Sequence, residues 1–248
     1  AQARVEQAFA LRAGIRGHLE ELATRYEASV AALERAGDLR NASVHELNLV
    51  AALVELGQDA RARLRLAHGA AEAARRGLSS AVALGKHLEG TILAREGRLE
   101  DALTAEREAL STFTAQGSAR MCGGVRCSIA ELQVRAGAHE EAEKVARQAV
   151  DDLQSARPGR ARALAVLAMA QVARGERDAA LATSEQAVTL AREAGVEGGE
   201  ALVHIARVEA LALAGSPEVA EAKRAGRERL LAQANAIQDP ALRESFLA

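Results

Sequence analysis

The chain has 248 residues, of which 60 are Ala and 31 Leu, and its only aromatic residues are Phe9, Tyr26, Phe113 and Phe246. So strong a bias to helix formers, with so few of the residues sheets favour, excludes sandwiches, barrels and Rossmann-type folds, and an apolar fraction of 49% excludes disorder. Thirty-two basic against thirty-four acidic residues leave a net charge of −2, so no bulk attraction to nucleic acid or an anionic membrane is expected.

Glycines set the order of the chain. Gly17, Gly57, Gly97, Gly137, Gly175 and Gly215 are separated by 40, 40, 40, 38 and 40 residues. A second series, Gly37, Gly77, Gly117, the Pro158-Gly159 pair and Gly195, falls about midway between them. Glycine is the residue that best tolerates the left-handed end of a helix, so each period divides into two helices. In chain order, helix pairs are predicted over 2–15 and 18–36, 41–56 and 59–76, 80–96 and 99–116, 120–136 and 139–156, 160–174 and 177–194, and 197–214 and 217–234. Ser216-Pro217 and Asp239-Pro240 carry the N-cap and first-turn proline of helix starts. The second of these opens a last short helix over 239–247, expected to pack on the final hairpin as a cap.

Small residues keep step with the glycines. Five residues after each first-series glycine stand Leu22, Ala62, Ala102, Ala142, Ala180 and Ala220; twelve after stand Ser29, Gly69, Ala109, Ala149, Ala187 and Arg227. A small side chain at a fixed helical position lets a neighbouring backbone approach closely. This spacing resembles the tetratricopeptide repeat (TPR), best over Gly97 to Ala109, Gly137 to Ala149 and Gly175 to Ala187. The resemblance implies an all-α, right-handed α-solenoid of about six antiparallel hairpins, over 1–37, 38–77, 78–117, 118–157, 158–195 and 196–235, closed by the capping helix. The period of 40 exceeds the usual 34. It is similar to the extended repeats attached to bacterial signal-transducing NTPases, kinases, cyclases and large transcriptional activators. Leu, Ala or Val stands where the family uses aromatics, and the terminal proline of each repeat is missing.

Catalytic chemistry has no sequence form here. No GxSxG, HExxH, Walker A or GxGxxG string occurs, and the stretch from Gly77 to Gly85-Lys86 has seven residues between its glycines where a phosphate loop has four. His18, His45, His68, His87, His139 and His204 are scattered, with no two at i,i+3 or i,i+4. Cys122 and Cys127 form neither a CxxC nor a zinc half-site and are expected to pack near a helix start. Acidic pairs such as Glu20-Glu21, Glu140-Glu141 and Asp151-Asp152 are read as solvated faces and dipole partners. No catalytic, cofactor or metal residue is therefore expected.

With 29 Arg against Lys86, Lys144 and Lys223, the base composition points to a GC-rich bacterium. Without a secretory signal or a long apolar stretch, the expected location is cytoplasmic. The chain opens on Ala1-Gln2-Ala3 and is expected to be excised from something longer.

The informative feature is a surface. In TPR-like stacks the first helix of each repeat lines a concave groove, and counting back from the glycine turns gives five ribs. These are Leu47, Ala51, Glu55; His87, Thr91, Arg95; Cys127, Glu131, Arg135; Ala165, Met169, Ala173; and Ile205, Glu209, Leu213. Asn48 is a lone candidate for the family's carboxylate clamp. Asn48, Glu55, His87, Thr91, Arg95, Cys127, Glu131, Arg135, Met169 and Glu209 are the expected binding residues. Arg95 and Arg135 either pair acidic groups of a ligand or make internal salt bridges, for instance Arg135 with Glu131. The expected function is a non-enzymatic protein- or peptide-binding module, the sensor or scaffold arm of a larger signalling protein. The alternative is a small-molecule sensor of the kind found in transcriptional activators. Neither nucleic acid nor membrane is an expected partner.

Overall fold

The computed structural model describes residues 2–196 and 199–247, without the side chain of Ile15. Among these residues the chain is all-α, with thirteen helices. They are α1 (Gln2–Arg16), α2 (Leu19–Arg35), α3 (Leu39–Glu55), α4 (Asp59–Arg75), α5 (Ser79–Arg95), α6 (Leu99–Ala115), α7 (Ala119–Arg135), α8 (His139–Asp152), α9 (Arg157–Ala173), α10 (Arg177–Ala194), α11 (Glu200–Leu213), α12 (Val219–Ala236) and α13 (Pro240–Leu247). Successive helices pack as antiparallel hairpins, the arrangement of a TPR-like α-solenoid with a capping helix.

The glycines act as the spacing implies. Gly17, Gly37, Gly57, Gly77, Gly97, Gly117, Gly137, Gly175 and Gly215 all hold a positive φ between 65° and 80°. The residue after each such turn returns its N–H to the carbonyl five positions back, as in Gln58 to Leu53 at 2.8 Å and Glu176 to Gln171 at 2.9 Å. This satisfies the open carbonyls of the preceding helix. The α8–α9 connection differs. Leu153 closes α8 four residues earlier than the periodicity predicts, and Gly159 lies inside α9 beside Pro158 in its first turn. That irregularity falls within the single 38-residue spacing. Each even-numbered helix from α2 to α12 carries an acid in its first turn, where the carboxylate complements the helix dipole. Asp239 caps α13 by accepting from the Ala241 and Leu242 N–H groups. The helix after Ser216-Pro217 begins later than predicted, at Val219.

The small positions lie at helix–helix contacts. Ala62, Ala102, Ala142 and Ala180, and Ser29, Ala109, Ala149 and Ala187, are all fully buried. The end repeats depart from the pattern, as Leu22 and Arg227 do in sequence: Leu22 is half-buried, and Ala220 and Arg227 are exposed. At Gly69 an added Cβ would stand 3.1 Å from Glu46 Cγ, so glycine is what lets α4 approach α3 there.

The residues fall into two compact units. Unit 1 comprises the chain up to Thr112 together with the residues from Ala232 on; unit 2 runs from Phe113 to Leu231. The core of unit 1 is built on α3, whose Leu47, Leu49, Val50 and Leu53 are buried with Leu56 just after its end, and Ile237 joins the same cluster. The last helix packs in this unit, with Leu242 and Phe246 against the same cluster. It returns to the first hairpins, where Ser245 Oγ donates to the Gly57 carbonyl at 2.8 Å. In unit 2 the core lies around α9, where Leu164, Ala165 and Ala168 pack with Ala187, Val203 and Ala206.

Candidate functional site

Odd-numbered helices pack side by side, α3 with α5 in unit 1, and α7 with α9 and α9 with α11 in unit 2. Their faces carry the sequence-predicted ribs. Along the ribs of α3, α7 and α9 burial falls toward the glycine turn: Leu47, Cys127 and Ala165 are buried, Ala51, Glu131 and Met169 half-buried, and Glu55, Arg135 and Ala173 exposed. Only the later positions of these three ribs face solvent.

In unit 1 Asn48 is half-buried and Glu55 exposed at the end of α3. On α5, His87 Nδ1 lies 2.8 Å from Glu106 Oε2, and Glu106 is fully buried on α6. Gly90 makes room for that carboxylate, since a Cβ there would touch Glu106 Cγ at 2.9 Å. Thr91 Oγ1 donates to the His87 carbonyl at 3.1 Å, which ties the hydroxyl to its own helix. Arg95 pairs with Asp59 of α4, Nε to Oδ2 3.0 Å, in a partly exposed bridge.

In unit 2 Cys127 is 1% exposed and packs with Ala149, Leu153 and Ala163, so it belongs to the core and not to an open groove. The thiol is small and apolar enough to replace alanine in a close helix contact. Glu131 pairs with Arg162 of α9 at 3.2 Å, and Arg162 also donates to Ser128 Oγ at 3.3 Å. A cross-helix partner of this kind is invisible to an i,i+4 reading of the sequence. Met169 is half-buried against the α9–α11 cluster. Glu209 is exposed on one side, yet desolvation by the surrounding protein pushes its carboxyl above the ordinary carboxylate range. Ile205, 45% exposed, and half-buried Leu213 flank it on α11. By repeat register, Glu131, Met169 and Glu209 hold equivalent places on the three packed helices, with Arg135 one turn later on α7 and Ile205 one turn earlier on α11. Such a surface offers apolar anchors between opposite charges, which suits a polypeptide ligand.

Sequence reasoning missed a cleft of about 350 Å³ between α2, α3 and α4. Val30, Leu39, Ala42 and Gly69 give it apolar walls, and Glu34, Glu46, Glu72, His68 and Arg76 line its polar part. Buried Glu46 accepts from Arg65 Nη1 at 3.1 and 3.3 Å. The usable sequence signal was Gly69, which replaces alanine at the second small position.

Ser29 and His45 form another buried pair, Oγ to Nδ1 2.7 Å. With the hydroxyl donating to the Ala3 carbonyl, His45 donates through Nδ1–H. The Tyr26 ring stands edge-on to the imidazole at 5.9 Å. Both members are shut off from solvent, so the pair is a satisfied core contact and not a nucleophile with its base. Among the described residues no group of three or more His, Cys, Asp or Glu is placed to hold a metal ion, and no helix is long and apolar enough to cross a membrane.

No protein-family model matches the chain, and no curated protein matches its sequence. Solved structures do match its fold. A Rap protein complexed with Competence and Sporulation Factor superposes with a TM-score of 0.72 at 13% identity, covering 96% of this chain and 70% of that one. BtubC from P. vanneervenii gives 0.58 at 16% identity, over 97% of this chain and 95% of that one. The TPR-like repeats of a Podosopora anserina chain described as a kinesin light chain give 0.53 at 18% identity, over 77% and 94%. The fold is TPR-like.

Proposed function

We propose that this chain is a peptide-binding helical-repeat module, the sensor or scaffold arm of a larger bacterial signalling protein working in the cytoplasm. The observation that carries it is the set of exposed and half-buried positions in register on α7, α9 and α11, where Met169 and Ile205 stand among Glu131, Arg135 and Glu209. The Rap protein of the same fold is complexed with Competence and Sporulation Factor, which supports a binding use here. The extended repeats of bacterial NTPases, kinases and activators remain the setting the sequence suggests. Arg135 supplies a cation at the rim of α7 for acidic groups of the ligand.

The test is selection of peptides from a displayed random library on the whole chain, followed by titration of an enriched peptide. Met169→Glu and Ile205→Glu are expected to weaken binding tenfold or more with helix content unchanged. Leu64→Glu, at a 75% exposed position on α4, is expected to have no effect. Equal loss from all three, or none from the first two, contradicts the reading. A small-effector reading has its own observation in the α2–α4 cleft, whose volume is at the low end for ligand pockets. A compound that competes there, with peptide binding absent, would favour it.

A further inference from the structure

The C-terminal segment is docked in unit 1 by a specific set of contacts. Ile237, 2% exposed, lies in the core built on α3, and Leu242 and Phe246 of α13 pack against the same cluster. The N–H groups of Gln238 and Asp239 donate to Glu20 Oε2 at 2.5 and 3.4 Å. Ser245 donates to the carbonyl of Gly57, which closes α3. The Arg243 guanidinium folds back on the Ile237 carbonyl, through Nε at 3.1 Å and Nη2 at 2.6 Å, and so fixes the angle between the anchor residue and α13.

The same segment has little to hold it in shape by itself. Helix α13 has eight residues, none of them buried, and a helix of that length is unstable in isolation. Its order comes from the surface it occupies. That surface is complete without it, since Glu20, the Gly57 carbonyl and the α3 core all belong to the first two hairpins. Receptor and ligand are thus distinct parts of one unit, separated by more than 180 residues of chain.

We propose that residues 237–247 are a tethered ligand of unit 1. The segment docks in cis on a site that a partner's amphipathic helix, with apolar residues spaced like Ile237, Leu242 and Phe246, enters when the segment is displaced. This rests on the peptide-binding reading and adds a second site that is closed at rest. The tether holds the segment at an effective concentration on the order of millimolar, so a competitor enters only against a weakened tethered copy.

The test uses the whole chain and a labelled synthetic peptide of residues 235–247 as probe. The double variant Leu242→Ala, Phe246→Ala removes the apolar contacts of α13, keeps the Ile237 anchor and leaves the α3 surface intact. The probe is expected to bind this variant at least tenfold tighter than wild type, and amides 241–246 of the variant to exchange at least tenfold faster. Gly57→Ala provides a variant with the segment's own sequence untouched. Its Cβ would run into the Ser245 carbonyl, whereas Gly97→Ala has a similar φ, +79° against +72°, and open space around it. Both carry the strain of the turn, but only Gly57→Ala is expected to release 241–246 to exchange. Equal probe affinity for wild type and double variant overturns the proposal, as does equal protection of 241–246 in the two glycine variants. Should the double variant lose helicity throughout, the glycine pair decides. Failure here leaves the α7–α9–α11 surface to its own titration, which probes other residues.

Discussion

Burial holds the His45 imidazole below its ordinary pKa, and His204 shows the same direction for the same cause. A histidine whose folded pKa is depressed takes up its proton more readily in the unfolded chain. Its contribution is therefore complete above about pH 6.5 and is lost as pH falls from there toward the lower folded value. Facing His45 are Ser29 and Tyr26, neither of which supplies a counter-charge, and the distant pull of Asp38 is outweighed by burial. The urea midpoint of the protein is expected to drop between about pH 7.5 and 5.5. His45→Gln is expected to drop less over that range, and an unchanged slope would contradict the assignment. Single residues were the least legible scale in the sequence. Repeat phase placed Met169 and Glu209 on the α9 and α11 faces but put Cys127 on a surface when it is core. It gave no sign of Arg162 as a partner of Glu131, because a cross-helix pair leaves no mark in local spacing.

At the scale of helices the sequence was far more informative, because turn and contact positions are set by backbone geometry that few residues satisfy. The left-handed turns demanded glycine, and the close contacts demanded alanine or something as small. Helix limits followed from these to within a few residues, except at α8, where Leu153 ends the helix without a glycine signal. Ala142, fully buried between neighbouring helices, tests the packing argument. Ala142→Leu inserts three carbons into a filled contact and is expected to cost about 1–3 kcal/mol in urea unfolding, with helix content retained below the transition. A neutral result would mean that the small positions reflect composition alone. Ala220, exposed in the last repeat, is expected to accept the same change at little cost.

For the whole molecule, the all-α repeat fold was legible and the path of its last residues was not. Ile237, Leu242 and Phe246 look in sequence like any amphipathic terminal helix, and nothing local says that they belong with Glu20 and Gly57. That assignment depends on where the chain arrives in space after twelve helices, which periodicity does not encode. The same holds for function: register on stacked helices marks a surface, while the ligand's identity lies in side chains that differ from repeat to repeat.

The claim that the odd-helix face binds peptide is tested most directly by photo-crosslinking. A library-selected peptide carrying one photoreactive residue is bound to the whole chain, irradiated, and its attachment sites are mapped by mass spectrometry. The account predicts crosslinks on α7, α9 and α11 around Glu131, Met169 and Ile205. Crosslinks confined to the even-numbered helices α4, α8 or α10 would contradict it.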